Sequence, residues 1–165
     1  PKLFGGFGNT FTFKGFDLNV FLTYSYGNYI WNHNRMLGET GGTLDANRVL
    51  LASQLDRWTH TGQVTNTPRL TTENYSRQEN SRFFEDGSFV RLRSLTLGYT
   101  LPQALTSKAG ISKARLYVSG SNLFLLTDYT GADPESNIGT ENIQGYDYGT
   151  PPQPRTIQVG VNVQL

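Results

Sequence analysis

Through much of the chain apolar side chains recur at every second position, the period of a β-strand whose two faces meet different surroundings. Phe16, Leu18, Val20, Leu22, Tyr24 and Tyr26 share one parity, with Asp17, Asn19, Thr23 and Ser25 on the other and Phe21 as the exception. Ahead of the Lys14-Gly15 turn signal, Phe7, Phe11 and Phe13 alternate with Thr10 and Thr12, so the spacing predicts a tight hairpin of strands near 3 to 14 and 16 to 29. Leu95, Leu97, Tyr99 and Leu101 mark a third strand over 94 to 101, stopped by Pro102, which cannot donate to a ladder. A less regular fourth, near 114 to 126, carries Leu116, Val118 and Phe124 and is interrupted by Gly120 and Asn122. In the fifth, Ile157, Val159, Val161, Val163 and Leu165 alternate with Thr156, Gln158, Gly160, Asn162 and Gln164. The pattern predicts an all-β chain, an antiparallel meander of about five long strands in which the fifth pairs with the fourth.

The connections alternate in length. A tight turn joins the first two strands and about a dozen residues, Pro102 to Lys113, join the third and fourth, whereas long segments run from about Asn28 to Ser81 and from Thr127 to Pro154. Short turns at one end and long loops at the other are the pattern of a membrane barrel with periplasmic turns and extracellular loops. A structureless loop of that length is improbable. Within it Leu51, Leu55 and Trp58 fall at i, i+4 and i+7 between Asp45 and Gly62, which predicts a short amphipathic helix at about 46 to 58.

Alternation alone suits a soluble β-sandwich as well as a barrel. The composition of the polar face separates them: Thr, Ser, Asn, Gln and Gly dominate, with almost no Lys or Glu, which fits a wet, crowded lumen better than an open soluble surface. On the apolar parity Phe13, Phe16 and Tyr99 stand beside the short turns and Tyr24 and Tyr26 at the far end, as two aromatic girdles would. The 165 residues carry 14 Lys+Arg against 13 Asp+Glu, so no global basic field points to nucleic acid, and 0 Cys removes disulfides, thiolate metal sites and Cys nucleophiles. The longest apolar runs, Val49 to Ala52 and Leu123 to Leu126, are far below the ~18 residues of a membrane-crossing helix. The first residues do not read as a secretory signal, and a start at Pro1 reads as a processed product or a piece of something longer.

Several long motifs, in order, resemble the C-terminal end of a SusC-like (RagA-type) TonB-dependent outer-membrane transporter of the Bacteroidetes type. They are Phe4-Gly5-Gly6-Phe7-Gly8-Asn9-Thr10-Phe11 leading into Lys14-Gly15-Phe16-Asp17-Leu18, the stretch from Ser81-Arg82-Phe83-Phe84-Glu85-Asp86-Gly87 through Tyr99-Thr100-Leu101-Pro102, and Arg115-Leu116-Tyr117-Val118-Ser119-Gly120-Ser121-Asn122-Leu123-Phe124. Tyr129-Thr130-Gly131-Ala132-Asp133-Pro134-Glu135 and Pro154-Arg155-Thr156-Ile157-Gln158-Val159-Gly160 complete the match. The resemblance implies that 1–165 is the C-terminal part of a larger barrel of about 22 strands, with the plug and earlier strands lying outside these residues. It further implies nutrient import, of glycans or peptides, at the cell outer membrane. The partners it implies are a SusD-like surface lipoprotein as cap, TonB acting through the missing N-terminal region, the barrel-assembly machinery and membrane lipid. Gln158, Gly160, Val163 and Leu165 resemble the spaced positions of the C-terminal assembly signal, with Leu165 in place of the usual terminal aromatic.

Candidate chemistry is sparse. His33 and His60 lack partners at metal spacing and read as solvated loop residues. Glu85-Asp86-Gly87 has no nucleophile nearby, and the resemblance implies that the chain enters a strand there; Gly5-Gly6-Phe7-Gly8 lacks the setting of a phosphate loop. The acids Asp128, Asp133, Glu135, Glu141 and Asp147 could hold Ca²⁺, although the simpler reading is a solvated acidic loop. Trp31, Trp58, Tyr129, Tyr146 and Tyr148 are the loop aromatics placed to contact substrate or lipoprotein. Neither a catalytic constellation nor a cofactor is expected. The alternative to an importer is a soluble β-sandwich that binds carbohydrate through exposed aromatics.

Overall fold

The computed structural model describes residues 1–39, 50–69, 81–136 and 144–165. Its elements in chain order are β1 (Leu3–Phe13), β2 (Phe16–Tyr26), β3 (Tyr29–Asn32), α1 (His33–Glu39), β4 (Phe84–Asp86), β5 (Phe89–Thr100), α2 (Gln103–Thr106), β6 (Lys113–Thr127), β7 (Tyr146–Asp147) and β8 (Thr156–Gln164), with 3-10 turns at Ala52–Asp56, Ser81–Phe83 and Ser107–Ala109. They fall into two compact units, a sheet unit of residues 1–28, 87–128 and 153–165 and a loop unit of 29–86 and 129–152.

The sheet unit is a single antiparallel sheet in the order β1-β2-β5-β6-β8, so the predicted pairing of the last strand with the fourth is the one observed. Lys14 (φ 47) and Gly15 (φ 87) both take positive φ in the β1–β2 turn, the backbone that lets a two-residue hairpin follow the strand twist. Across the sheet the register aligns Phe11, Leu18, Leu97, Val118 and Val159 in one row, and Phe13, Phe16, Tyr99, Leu116 and Val161 in the next. The opposite face aligns Thr10, Asn19, Thr96, Ser119 and Gln158. One cross-sheet register thus places every apolar parity on the same side.

Two boundaries differ from the sequence expectation. β5 begins at Phe89, well before 94, because a bulge at Arg93 breaks the register between Leu92 and Ser94. A bulge residue shifts parity by one, so Leu92 and Val90 join the apolar face of Leu95 while violating its period. Asn122, at φ 53, is the matching irregularity on β6, and its side chain accepts from Arg93 Nη1 at 3.2 Å. β2 ends at Tyr26 and not near 29, since Gly27 (φ 73) turns the chain and Tyr29 starts a strand of another sheet.

That sheet, in the order β4-β3-β7, organises the loop unit, with β3 antiparallel to β4 and parallel to β7. Trp31, Met36 and Phe83 form its buried core, flanked by Leu37 and Tyr146. A short helix does occupy the first long loop, but it is α1, capped by Asn32, whose Oδ1 accepts from the Arg35 N–H at 2.8 Å. Of the helix expected at 46 to 58, residues 46–49 lie outside the described residues and the rest holds a single 3-10 turn, Ala52–Asp56. Tertiary hydrogen bonds take the place of helical ones there. Leu51 N–H donates to Gly38 O at 3.0 Å, the Gln54 amide to Glu39 O at 3.1 Å, and the Ser53 hydroxyl to Glu39 Oε1 at 3.0 Å. Leu55 is left 82% exposed, so the anticipated Leu51, Leu55 and Trp58 face does not form.

Candidate functional site

The largest surface feature of the sheet unit is its apolar face. Phe7, Phe11, Phe13, Phe16, Leu97, Leu116, Val118, Ile157, Val159, Val161 and Val163 are all exposed, Val159 to 83%. The inner face of a sandwich would bury such residues, and exposed apolar area on this scale marks a surface built for a nonaqueous partner. Phe16 and Tyr99 stack at 4.5 Å between ring centroids beside the short turns, and the Lys14 ammonium lies 5.2 Å from the Phe13 ring centre. An aromatic row with a cation beside it is the anatomy of a membrane interface.

The opposite face is polar and cross-linked near the short turns, with Phe4 and Phe21 as exposed apolar exceptions further along. Arg115 donates through Nε to Asp17 Oδ1 at 2.8 Å and through Nη2 to Oδ2, bridging β6 to β2 across the intervening β5. It passes over Gly98, where a Cβ would collide with the guanidinium. The Tyr117 ring likewise lies over Gly160 on β8. Asn19 donates to Thr10 Oγ1 at 2.9 Å.

In the loop unit the charges converge on Glu85. Its Oε1 accepts from Arg35 Nη1 at 2.9 Å and from Asn32 Nδ2 at 3.2 Å, and its Oε2 from the Thr130 N–H at 2.9 Å and hydroxyl at 2.7 Å. Burial pushes the Glu85 carboxyl up, but Thr130 and Arg35 outweigh it and hold the group below its ordinary value. Arg35 Nε reaches Glu39 Oε1 at 3.0 Å and Arg82 Nη2 reaches Glu39 Oε2 at 2.6 Å, so two arginines enclose a carboxylate that is 5% exposed. Glu85-Asp86-Gly87 does enter a strand, β4, and Glu85 is also the clasp between the two long loops. Sequence reasoning missed the clasp; Arg35 and Glu39 at i, i+4 were its only local signal.

Of the second loop's acids, Asp128 is exposed as expected and Glu141 lies outside the described residues, but Asp133 and Asp147 are not solvated. Asp133 and Asp147 are 2% and 0% exposed; Asp133 Oδ1 accepts from the Glu135 N–H, and Asp147 accepts from the Tyr129 hydroxyl at 2.7 Å and from Asn34 Nδ2 at 3.2 Å. Buried carboxylates persist only when so satisfied. Burial, then the hydrogen bond to Asp147 and that carboxylate's charge, drives the Tyr129 phenol well above its usual range, so it stays a neutral donor. Among the described residues no group of three His, Cys, Asp or Glu is arranged around a metal position.

His33 is not a solvated loop histidine either. It meets Tyr146, whose hydroxyl is 2.8 Å from Nδ1, and Tyr148, edge-on at 4.7 Å. His60 is exposed, with its Nδ1 3.0 Å from the neighbouring Thr59 hydroxyl. Of the five loop aromatics singled out, Trp31 and Tyr129 are buried, Tyr146 is half-buried and Tyr148 is 48% exposed. Trp58 lines an open cleft of about 540 Å³ with Thr67, Arg69 and Arg82. A second cleft, of about 490 Å³, has Asn32, Asn34, Arg35, Glu39 and Thr130 in its wall. Gln158, Val163 and Leu165 are exposed and Gly160 is half-buried on the outer strand β8.

A one-sided apolar sheet with aromatic rows at both ends and a polar, cross-linked back is a section of the wall of an outer-membrane β-barrel. Comparison with known proteins narrows the class. No family model matches the chain. It is 38% identical over 171 residues to TonB-dependent receptor P3 of Formosa agariphila, covering 100% of this chain and 16% of that protein. TonB-dependent receptor P26 of the same organism is 34% identical over 174 residues, covering 99% and 17%. Among solved structures, the RagAB peptide importer in its "open-open" state aligns at a TM-score of 0.79 with 28% identity, covering 98% of this chain and 17% of that one. The importer in its "closed-closed" state aligns at 0.78 with 29% identity, covering 97% and 17%. The chain belongs to the TonB-dependent receptors, of the SusC-like RagA type, proteins of the outer membrane. It spans about a sixth of the length of these relatives.

Proposed function

We propose that this chain is the last part of the barrel of an outer-membrane importer that takes up nutrients, peptides or glycans, with energy delivered by TonB. The observation that carries the reading is the five-stranded sheet whose apolar face is exposed or half-buried but for Ala114, with no buried core against it, while its back is tied by Arg115 and Asp17. The apolar face meets lipid, the polar face lines the lumen, and the short turns point to the periplasm. A soluble carbohydrate-binding sandwich has no place for an uncovered face of this size.

The loop unit forms part of the external vestibule, where a SusD-like surface lipoprotein closes over the cargo. Tyr148 is the exposed contact and half-buried Trp58 lines a cleft in the loop unit's surface, while Trp31, Tyr129 and Tyr146 shape the surface from beneath. Gln158, Gly160, Val163 and Leu165 serve as the strand read by the barrel-assembly machinery. A peptide cargo is favoured over a glycan by the RagAB importer's likeness. Uptake of labelled peptide mixtures and of labelled oligosaccharides by cells carrying the intact transporter, with and without its gene, tests this: loss of peptide uptake alone supports the reading, and unchanged uptake of both contradicts import.

A further inference from the structure

We propose that the outer end of the sheet's apolar face holds a seat for one acyl chain of a membrane lipid. This rests on the reading that the apolar face is the lipid face. Two adjacent rows of same-side residues build the seat. Register places Tyr24, Val90 and Leu126 opposite one another on β2, β5 and β6. Two residues further out, Tyr26 ends β2 and Ser88 and Asp128 stand just beyond β5 and β6, and all three line the same cleft. Small side chains on the central strand, between tall ones on both neighbours, leave a trough, and its volume is about 410 Å³. Its walls are two strand spacings apart, roughly 10 Å, which admits one hydrocarbon chain between side chains.

A glycine holds the trough open. The Tyr24 ring lies over Gly5 on β1, with its hydroxyl 2.9 Å from where a Gly5 Cβ would stand, so the ring leans away from Val90. Towards the short turns the central strand carries the larger Leu95 and Leu97 on this face. The occupant follows from position and chemistry. Val90, Leu126 and the tyrosine rings are apolar and continuous with the exposed face, so the partner is a hydrocarbon already present in the bilayer. Ser88, the Tyr26 hydroxyl and exposed Asp128 mark the polar end, where the chain joins its headgroup. Such a lipid would stay with the protein in place of exchanging with its neighbours.

The test uses the intact transporter, extracted in mild detergent, stripped of loosely held lipid and examined by native mass spectrometry with phosphatidylethanolamine and, separately, lipid A as the added lipids. Val90→Phe fills the trough from its floor, and Gly5→Leu, at a position outside the lining, closes it by pushing the Tyr24 wall inward. Val118→Phe, on the same face away from the trough, is the control. Heat-modifiable mobility on gels establishes that each variant is a folded barrel. The wild type and Val118→Phe should retain one lipid more than Val90→Phe and Gly5→Leu, with affinity for the added lipid about tenfold higher. Equal retention by all four folded proteins overturns the seat, as does a bound protein mass in place of a lipid. Failure of every variant, control included, to bind any lipid would instead overturn the lipid-facing assignment on which the seat depends.

Discussion

Among the described residues the five-stranded sheet buries a single apolar side chain, Ala114, while the loop unit, with far shorter strands, buries Ile30, Trp31, Met36, Phe83 and Tyr129. Charge divides the same way: the sheet unit carries eight Lys and Arg against two acids, Asp17 and Asp128, and the loop unit six against eleven. A water-soluble domain must bury its apolar side chains in itself, and the loop unit does so around Trp31, with its carboxylates clasped by Arg35, Arg82, Thr130 and Tyr129. On the proposed reading the sheet has no such core because its solvent on one side is hydrocarbon; the ladder pairs β2, β5 and β6 on both sides, as a bilayer requires. Within one chain the two units would then be folded for different media.

The contrast can be broken at either end. Trp31→Ala should destabilise the loop unit by about 3 to 5 kcal/mol, the usual cost of deleting a buried aromatic, and leave barrel assembly unchanged; limited proteolysis of external loops on whole cells reads the first effect and heat-modifiable mobility the second. Leu97→Arg should cost roughly 2 to 4 kcal/mol if the residue lies near the bilayer midplane, whereas Thr96→Arg, one residue away on the lumen face, should be mild, as read by urea unfolding from vesicles. Glu85→Gln leaves Arg35 and Thr130 without their carboxylate and should loosen the loop unit by about 1 to 3 kcal/mol. Because the folded carboxyl sits below its ordinary value of 4.5, its contribution is full above that pH and is lost as pH falls through the depressed value, so wild-type loops should become protease-sensitive in acid while Glu85→Gln loops change less over the same range. Tyr148→Ala should alter stability by less than about 0.5 kcal/mol yet lower uptake, which a transport assay on the intact protein would detect.

The strands were legible because one physical signal, period two, covers Phe16 to Tyr26 and Ile157 to Leu165 almost without exception. It faltered where the chain leaves that period: at Arg93 and Asn122 the bulge hid Val90, Leu92 and the start of β5. In the loop unit no periodicity was available. Leu51, Leu55 and Trp58 imitate a helix face, but the hydrogen bonds that decide the segment come from Gly38 and Glu39, and such pairings leave no trace in spacing. The resemblance placed Glu85 at a strand entry; its convergence with Arg35 and Thr130 joins residues far apart in the chain and needed coordinates to see.

The central claim is that one parity of the sheet meets lipid and the other water. The chain has 0 Cys, so single cysteines placed in turn at Asn19, Leu95, Thr96, Leu97, Val118 and Ser119 in a cysteine-free intact transporter can be read one by one in vesicles. A water-soluble maleimide should label Asn19, Thr96 and Ser119 positions, and a fluorophore attached at Leu95, Leu97 or Val118 should be quenched by lipid-borne nitroxides. Uniform labelling along β5, or the reverse alternation, would contradict the account.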